Sequence, residues 1–221
     1  VTGCSKTMTG TANVVINLLP TTYIVGGGGN YCAGGTGLHI TLSGSNTGIS
    51  YQLMNGIDPV GGWIPGTGMA LDFGLQTAGG VYMVIARNNT TLCTNNMTGS
   101  ATIVVNPLPT VYPVSSTSST YCAGGGGVNI WVNSSDPGIN YQLYVGSTTI
   151  GMPKPGTGSS VDFGYLFVPG SYTIVGTNAV TGCTNAMSSS VTIVVNPLPT
   201  VYTITGGGSY CSGGTGVNIG L

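Results

Sequence analysis

Ser190-Val-Thr-Ile-Val-Val-Asn-Pro-Leu-Pro-Thr-Val-Tyr202 occurs almost unchanged as Ser100-Ala-Thr-Ile-Val-Val-Asn-Pro-Leu-Pro-Thr-Val-Tyr112. A looser copy, Thr11-Ala-Asn-Val-Val-Ile-Asn-Leu-Leu-Pro-Thr-Thr-Tyr23, lies near the start of the chain. Each copy is an alternating apolar run, which favours a strand with one buried face, followed by a proline-bearing stretch and the start of another run. Asn106, Pro107 and Pro109, and likewise Asn196, Pro197 and Pro199, form the linker. Proline fixes its own φ and pushes the residue before it to extended backbone, so the linker reads as a short stiff strut.

Working outward, other pairs recur at the same distance. Tyr31-Cys32-Ala-Gly-Gly returns as Tyr121-Cys122-Ala-Gly-Gly and Tyr210-Cys211-Ser-Gly-Gly, and Asp72-Phe-Gly returns as Asp162-Phe-Gly. Cys4, Cys93 and Cys183 form a further set. Positions 32 and 122 are 90 apart and positions 122 and 211 are 89 apart. A period of this length is a whole domain, longer than a solenoid repeat. The chain therefore divides into residues 1–20, the C-terminal strands of one repeat; 21–109 and 110–199, two complete repeats; and 200–221, the start of another.

Within the second complete repeat, alternating runs are separated by turn residues, which is the all-β pattern. Thr110-Val-Tyr-Pro-Val opens it. Val128, Ile130 and Val132 share one face, followed by Asn140 to Tyr144, and Val161 and Phe163 point inward. Tyr172 and Ile174 share a face of the next run, and Val191, Ile193 and Val195 line the last. Pro153 to Gly158 reads as loop, as do the glycine runs Gly26–Gly29 and Gly124–Gly127. About seven strands in about 90 residues is the size of an immunoglobulin-like sandwich. The expected fold is all-β, with tandem sandwiches arranged head to tail.

Only seven residues are charged (Lys and Arg 3, Asp and Glu 4), with a net charge of -1. Such a chain cannot steer a polyanion, so nucleic acid is not an expected partner. No apolar run reaches the ~18 residues of a membrane-spanning helix. His39 is the single histidine and falls between two inward positions, so it faces outward, and Asn129 and Asn218 stand at its place in the later repeats. No Ser–His–Asp set can be assembled from it. Lys154, Arg87 and Asp58 correspond to Ile64, Thr177 and Thr148, so these charges do not recur. Asp72 and Asp162 do recur, in positions suited to a hydrogen-bonded turn or strand end. Neither an enzyme nor a cofactor or metal site is expected.

The motifs resemble two known groups. Gly80-Val-Tyr82 and Gly170-Ser-Tyr172 resemble the tyrosine corner of immunoglobulin-like domains. The positions of the antibody core disulfide would be Leu42 and Val84, or Val132 and Ile174, all apolar here. Tyr-Cys-x-Gly-Gly, Gly182-Cys-Thr-Asn185 and the Val-Asn-Pro-Leu-Pro linker resemble immunoglobulin-like or PKD-like repeats of large secreted Bacteroidetes-type surface proteins. That resemblance implies an extracellular or cell-surface location and a structural role in adhesins, stalks or filaments, with neighbouring repeats or further copies of the chain as partners. The alternative it leaves open is an adhesive module contacting surface glycans through His39, Trp131 and Phe167.

Six cysteines without a C-x-x-C motif point to disulfides in an oxidising compartment. Pairing within a repeat gives Cys32–Cys93 and Cys122–Cys183. In an immunoglobulin-like sandwich those partners fall at opposite ends, over ~20 Å apart, whereas bridged Cα atoms sit within ~7 Å. Head-to-tail stacking instead favours Cys32–Cys183, leaving Cys4, Cys93, Cys122 and Cys211 to bond with repeats outside the sequence. Both pairings stay open at this level. The scarcity of charge also predicts sheet edges lacking the lysines that usually guard them.

Overall fold

The computed structural model describes Val1–Leu221, which divide into two compact units, Val1–Pro107 and Leu108–Leu221. It is all-β. The first unit contains β1 (Val25–Gly27), β2 (Gly29–Cys32), β3 (Leu38–Leu42), β4 (Ile49–Asn55), β5 (Asp58–Pro65), β6 (Leu71–Gln76), β7 (Gly80–Asn88), β8 (Thr94–Asn96) and β9 (Ala101–Asn106). One sheet has the order β1-β3-β6; the other has β2-β9-β7-β4-β5, with β8 also on β7. The second unit repeats this plan with β10 (Val114–Ser116), β11 (Thr120–Cys122), β12 (Val128–Val132), β13 (Ile139–Val145), β14 (Thr148–Pro155), β15 (Val161–Leu166), β16 (Gly170–Asn178), β17 (Thr184–Ala186) and β18 (Val191–Asn196). Each unit is thus an immunoglobulin-like sandwich whose first strand splits between the two sheets. Residues 1–19 are exposed and carry no strand; beyond residue 199, β19 (Thr205–Gly206) pairs with β20 (Ile219–Gly220).

Alternation explains the core. In the second unit Val128, Ile130, Val132, Tyr141, Leu143, Tyr172, Ile174 and Ile193 are buried in one cluster. Their equivalents Ile40, Leu42, Tyr51, Leu53, Tyr82, Val84 and Ile103 fill the first. Leu42, Val84, Val132 and Ile174, at the places of the antibody disulfide, are all buried, so apolar packing replaces the covalent pin. The tyrosine corner is present twice: Tyr82 donates its hydroxyl proton to the Ala78 carbonyl at 2.8 Å and Tyr172 to that of Val168 at 2.7 Å.

Three expectations change. First, Thr110–Tyr112 form no strand; the first run of the second repeat begins at Val114, after Pro113, whose missing N–H keeps it out of a full ladder. Second, Pro153 and Pro155 lie on strand β14, which is an edge. Proline is admissible there because its missing N–H faces no partner strand. Third, the Tyr-Cys segments are strands, β2 and β11, running parallel to β9 and β18. Gly26–Gly29 accordingly belong to the switch between β1 and β2, while Gly124–Gly127 remain loop.

That switch explains the one-residue variation in period. In the first unit, Gly27, Gly28 and Gly29 all have positive φ (92°, 74° and 127°) as the chain passes from one sheet to the other. The second unit makes the same crossing through Ser115-Ser116-Thr117-Ser118-Ser119, one residue longer and without glycine. Left-handed glycines cut the corner that L-residues must go around.

The edges carry backbone devices in place of charge. Edge strand β5 carries Pro59 and Pro65, and its register against β4 shifts between Tyr51 and Leu53. The opened ladder is filled by Gln52, which is buried and donates Nε2 to the carbonyls of Leu53 and Val60, both at 2.9 Å. Gln142 does the same toward Leu143 and Ile150. Edge strands β6 and β15 are kinked at Gly74 and Gly164, both at positive φ. Bulges and prolines twist an edge away from further pairing.

Candidate functional site: the cysteine-bearing ends of the repeats

The cysteines sit at two ends of each sandwich. Cys32 closes β2 opposite Asn106, the last residue of β9; Ala33 N–H donates to Asn106 O at 2.8 Å and Gly35 N–H to Cys32 O at 3.0 Å. The preceding Tyr31 turns its ring onto the core and donates its hydroxyl to Thr77 O. In the second unit Cys122 lies opposite Asn196, with Ala123 N–H on Asn196 O and Gly125 N–H on Cys122 O, both at 2.8 Å. Tyr121 donates to Phe167 O, and the two rings meet edge to face at 6.4 Å.

At the other end, Cys93 closes the hairpin between β7 and β8, its carbonyl accepting Asn88 N–H at 2.9 Å. Asn88 Oδ1 caps the turn by accepting the N–H groups of Thr90 and Thr91. Cys183 repeats this with Asn178, Val180 and Thr181. Within one unit, Cys32 and Cys93 are therefore separated by the length of β7, nine residues, or over ~20 Å at ~3.3 Å each.

A disulfide is present: Cys32 and Cys183 are the oxidised cysteines. Cys4, Cys93, Cys122 and Cys211 are free thiols. Pairing within a repeat, which would require Cys93 and Cys122 in the oxidised state, is not the arrangement adopted.

The linker is held at both of its ends. Asn106 is paired in the sheet of the first unit. Pro109 is buried in the second, where the Asn185 side chain, two positions after Cys183, donates Nδ2 to its carbonyl at 2.9 Å. Asn95, two positions after Cys93, grips buried Pro20 in the same way at 2.8 Å. Only Pro107 and Leu108 lie between the two holds.

The same end of each repeat carries a polar knot. In the second unit Tyr112 donates its hydroxyl to Asp136 Oδ1 at 2.6 Å, and Asp136 N–H donates to the hydroxyl of buried Tyr141 at 2.9 Å. In the first, Tyr23 bonds Asn46 and Asn46 N–H bonds Tyr51. The Tyr112 hydrogen bond is the largest influence holding the Asp136 carboxyl below the usual carboxylate range, while the same contact raises the Tyr112 phenol. A lowered folded-state value means that the contact stabilises above the unfolded value of ~3.9 and is lost as pH falls through the folded one. Asp136→Asn should keep the hydrogen bond, as Asn46 does, and flatten this acid limb. Urea midpoints of the second repeat measured between pH 5 and pH 2 should fall less in the variant than in the parent.

The candidate surface contacts are not gathered into one site. His39 lies on the outer face of β3, where its Nδ1 pairs with the Asp72 carboxylate at 2.8 Å. Trp131 is half-buried on the outer face of β12, and Phe167 stands beside Tyr121 near Cys122. The recurring aspartates hold bulges: Asp72 Oδ1 accepts Gly74 N–H at 2.8 Å and Asp162 Oδ1 accepts Gly164 N–H at 2.9 Å. Hydrogen bonding to His39 is the first cause of a lowered Asp72 pKa, followed by the Gly74 amide. Two features escaped the sequence reading, Arg87 stacked 4.4 Å over Trp63 and the exposed Tyr165. Outward parity on β5 and β15 was the available signal, hidden by the bulges in both strands.

No family model and no curated protein sequence matches the chain. Among solved structures, murine CEACAM1b is similar at 14% identity with a TM-score of 0.35, over 76% of this chain and 96% of that one. The fibronectin(III)-like modules of Clostridium thermocellum CbhA are similar at 16% identity and TM-score 0.36, over 80% and 94%. Three N-terminal domains of the bacteriophage RB49 Highly Immunogenic Outer Capsid protein are similar at 12% and 0.32, over 79% and 59%.

Proposed function

We infer that the chain is a load-bearing part of an extracellular filament or cell-surface stalk, built from immunoglobulin-like repeats joined covalently twice at each junction. The observation that carries this reading is the double hold on the linker. Cys32 lies opposite Asn106, and Asn185, two positions from Cys183, grips Pro109. Three consecutive Cα–Cα steps of ~3.8 Å limit the span from Asn106 to Pro109 to ~11 Å. A Cys32–Cys183 bond is then the second tie beside the peptide. By the same logic Cys122 pairs with the hairpin cysteine of the repeat that begins at residue 200, and Cys93 with the Tyr-Cys element of the repeat that ends at residue 20. Cys4 and Cys211 continue the series.

Such a bond sets the path of tension. A pull applied at the chain ends passes through Cys32–Cys183 and bypasses residues 33–182, 150 in all. Single-molecule extension of the oxidised chain should therefore lack about 500 Å of contour, at ~3.4 Å per residue, that reduction or Cys32→Ser restores. Peptide mapping that joins Cys32 to Cys93, or equal contour before and after reduction, would overturn the reading.

A further inference from the structure

The outer face of the β10-β12-β15 sheet differs from its counterpart in the first unit. Val128, Ile130 and Val132 of β12 are buried, so Asn129 and Trp131 point outward. The bulge at Gly164 turns both Asp162 and Tyr165 outward from β15. Register places Trp131 between Ser115 and Asp162, and Asn129 beside Tyr165. Tyr165 is 60% exposed. The two aromatic residues are diagonal neighbours on adjacent strands, a spacing of ~7–8 Å.

The polar groups around them are partly uncommitted. Asp162 uses Oδ1 to hold Gly164 N–H, leaving its second carboxylate oxygen. Asn129 Oδ1, beside Tyr165, is buried and has no hydrogen-bond partner. Lys154 donates to the Asp162 backbone carbonyl at 2.6 Å, which sets its positive charge beside this carboxylate-bearing residue. At the same places the first unit has Gly26, His39, Thr41, Asp72 and Leu75, with His39 Nδ1 against the Asp72 carboxylate at 2.8 Å. The other tryptophan, Trp63, is 39% exposed and has the Arg87 guanidinium stacked 4.4 Å over its ring.

We propose that this face of the second repeat binds a neutral polysaccharide of β-linked pyranoses. Sugars whose hydroxyls are all equatorial present flat C–H faces, which stack on Trp131 and Tyr165, while a hydroxyl proton is donated to the exposed Asp162 carboxylate. Asp162 and Lys154 offset one another in charge, so the face has no excess positive charge to draw an anionic polymer or a nucleic-acid phosphate. The site is independent of the disulfide coupling, so either can fail without the other. In a filament it would fix every copy of this repeat to surrounding matrix glycan.

The test is affinity electrophoresis of the full oxidised chain in native gels containing hydroxyethyl cellulose, with cellohexaose as a soluble competitor. The parent and Trp63→Phe should be retarded, and cellohexaose should release both. Trp131→Ala and Tyr165→Ala should each weaken retardation at least about tenfold, the loss expected on truncating an aromatic anchor. Their urea midpoints should stay close to the parent's, since neither side chain belongs to the core cluster of the second unit. In the Trp63→Phe protein, the remaining emission from Trp131 should shift on titration with cellohexaose. Absence of retardation in the parent, equal retardation of the Trp131 and Tyr165 variants, or an unchanged Trp131 emission would overturn the proposal.

Discussion

Gly27→Ala should cost the first repeat about 3–4 kcal/mol, whereas Ser116→Ala, at the matching register position of the second, should change little. Gly27 sits opposite Ile40 as Ser116 sits opposite Ile130. With φ at +92°, an added Cβ would stand 2.0 Å from the His39 carbonyl oxygen and 3.2 Å from Ile40 Cα. Both obstacles are backbone and cannot rotate away. Left-handed strain contributes ~1–2 kcal/mol and overpacking a further ~1–3 kcal/mol. Against the ~5–15 kcal/mol that holds an ordinary domain, this is a large fraction. Urea unfolding followed by hydrogen exchange should show protection falling in β3 and β9 while β12 and β18 keep theirs. Equal losses for the two substitutions would show that the glycine route has no special requirement.

Tyr141→Ala should remove about 3–5 kcal/mol from the second repeat, the usual result of deleting a buried aromatic ring. Tyr141→Phe should remove about 1–3 kcal/mol, because it leaves the Asp136 N–H without its acceptor. Tyr141 is fully buried, and burial is also the first cause of its raised phenol pKa. Its ring packs on Gly156, where an added Cβ would lie 3.0 Å from Cε2 and 2.1 Å from the Asp136 carbonyl oxygen. The first repeat holds the same trio, Tyr51, Asn46 and Gly66, at 2.9 Å and 2.1 Å. The same two substitutions at Tyr51, with denaturant midpoints as the measurement, should therefore rank in the same order. If Phe proved as costly as Ala at either position, the hydroxyl would outweigh ring packing, and this account of the knot would be wrong.

These predictions lean on parts of the fold that differ in how openly the chain announces them. Strands β12, β16 and β18 are legible because alternation is local: Val128, Ile130 and Val132 point one way whatever pairs beside them. The tyrosine corner is legible for the same reason, since Tyr172 bonds a carbonyl only four residues back. Strand β14 is illegible because Pro153 and Pro155 resemble loop residues until it is known that no strand pairs on their side. Strand β11 is three residues long and parallel to a strand some 74 residues later, so nothing near it in sequence marks it. The recurrence of Gln52 and Gln142 was visible, but its meaning depends on a bulge in the facing strand. His39 beside Asp72 is a similar case, two residues 33 positions apart brought together where the register of β3 and β6 slips. Of the cysteine sites, strand order decided which ends Cys32 and Cys93 occupy, and the hold on Pro109 by Asn185 was beyond reach of any pattern.

That hold has a practical consequence for dissecting the molecule. A fragment of the second repeat begun at Thr110, where the sequence period places its start, would discard Pro109 and leave the Asn185 amide facing water in place of a carbonyl. Begun at Leu108, the boundary between the compact units, it would keep its own anchor. Cutting at the period and cutting at the anchor would thus yield proteins of different stability from nearly identical sequences. The unit of folding in this chain is offset from the unit of repetition by two residues.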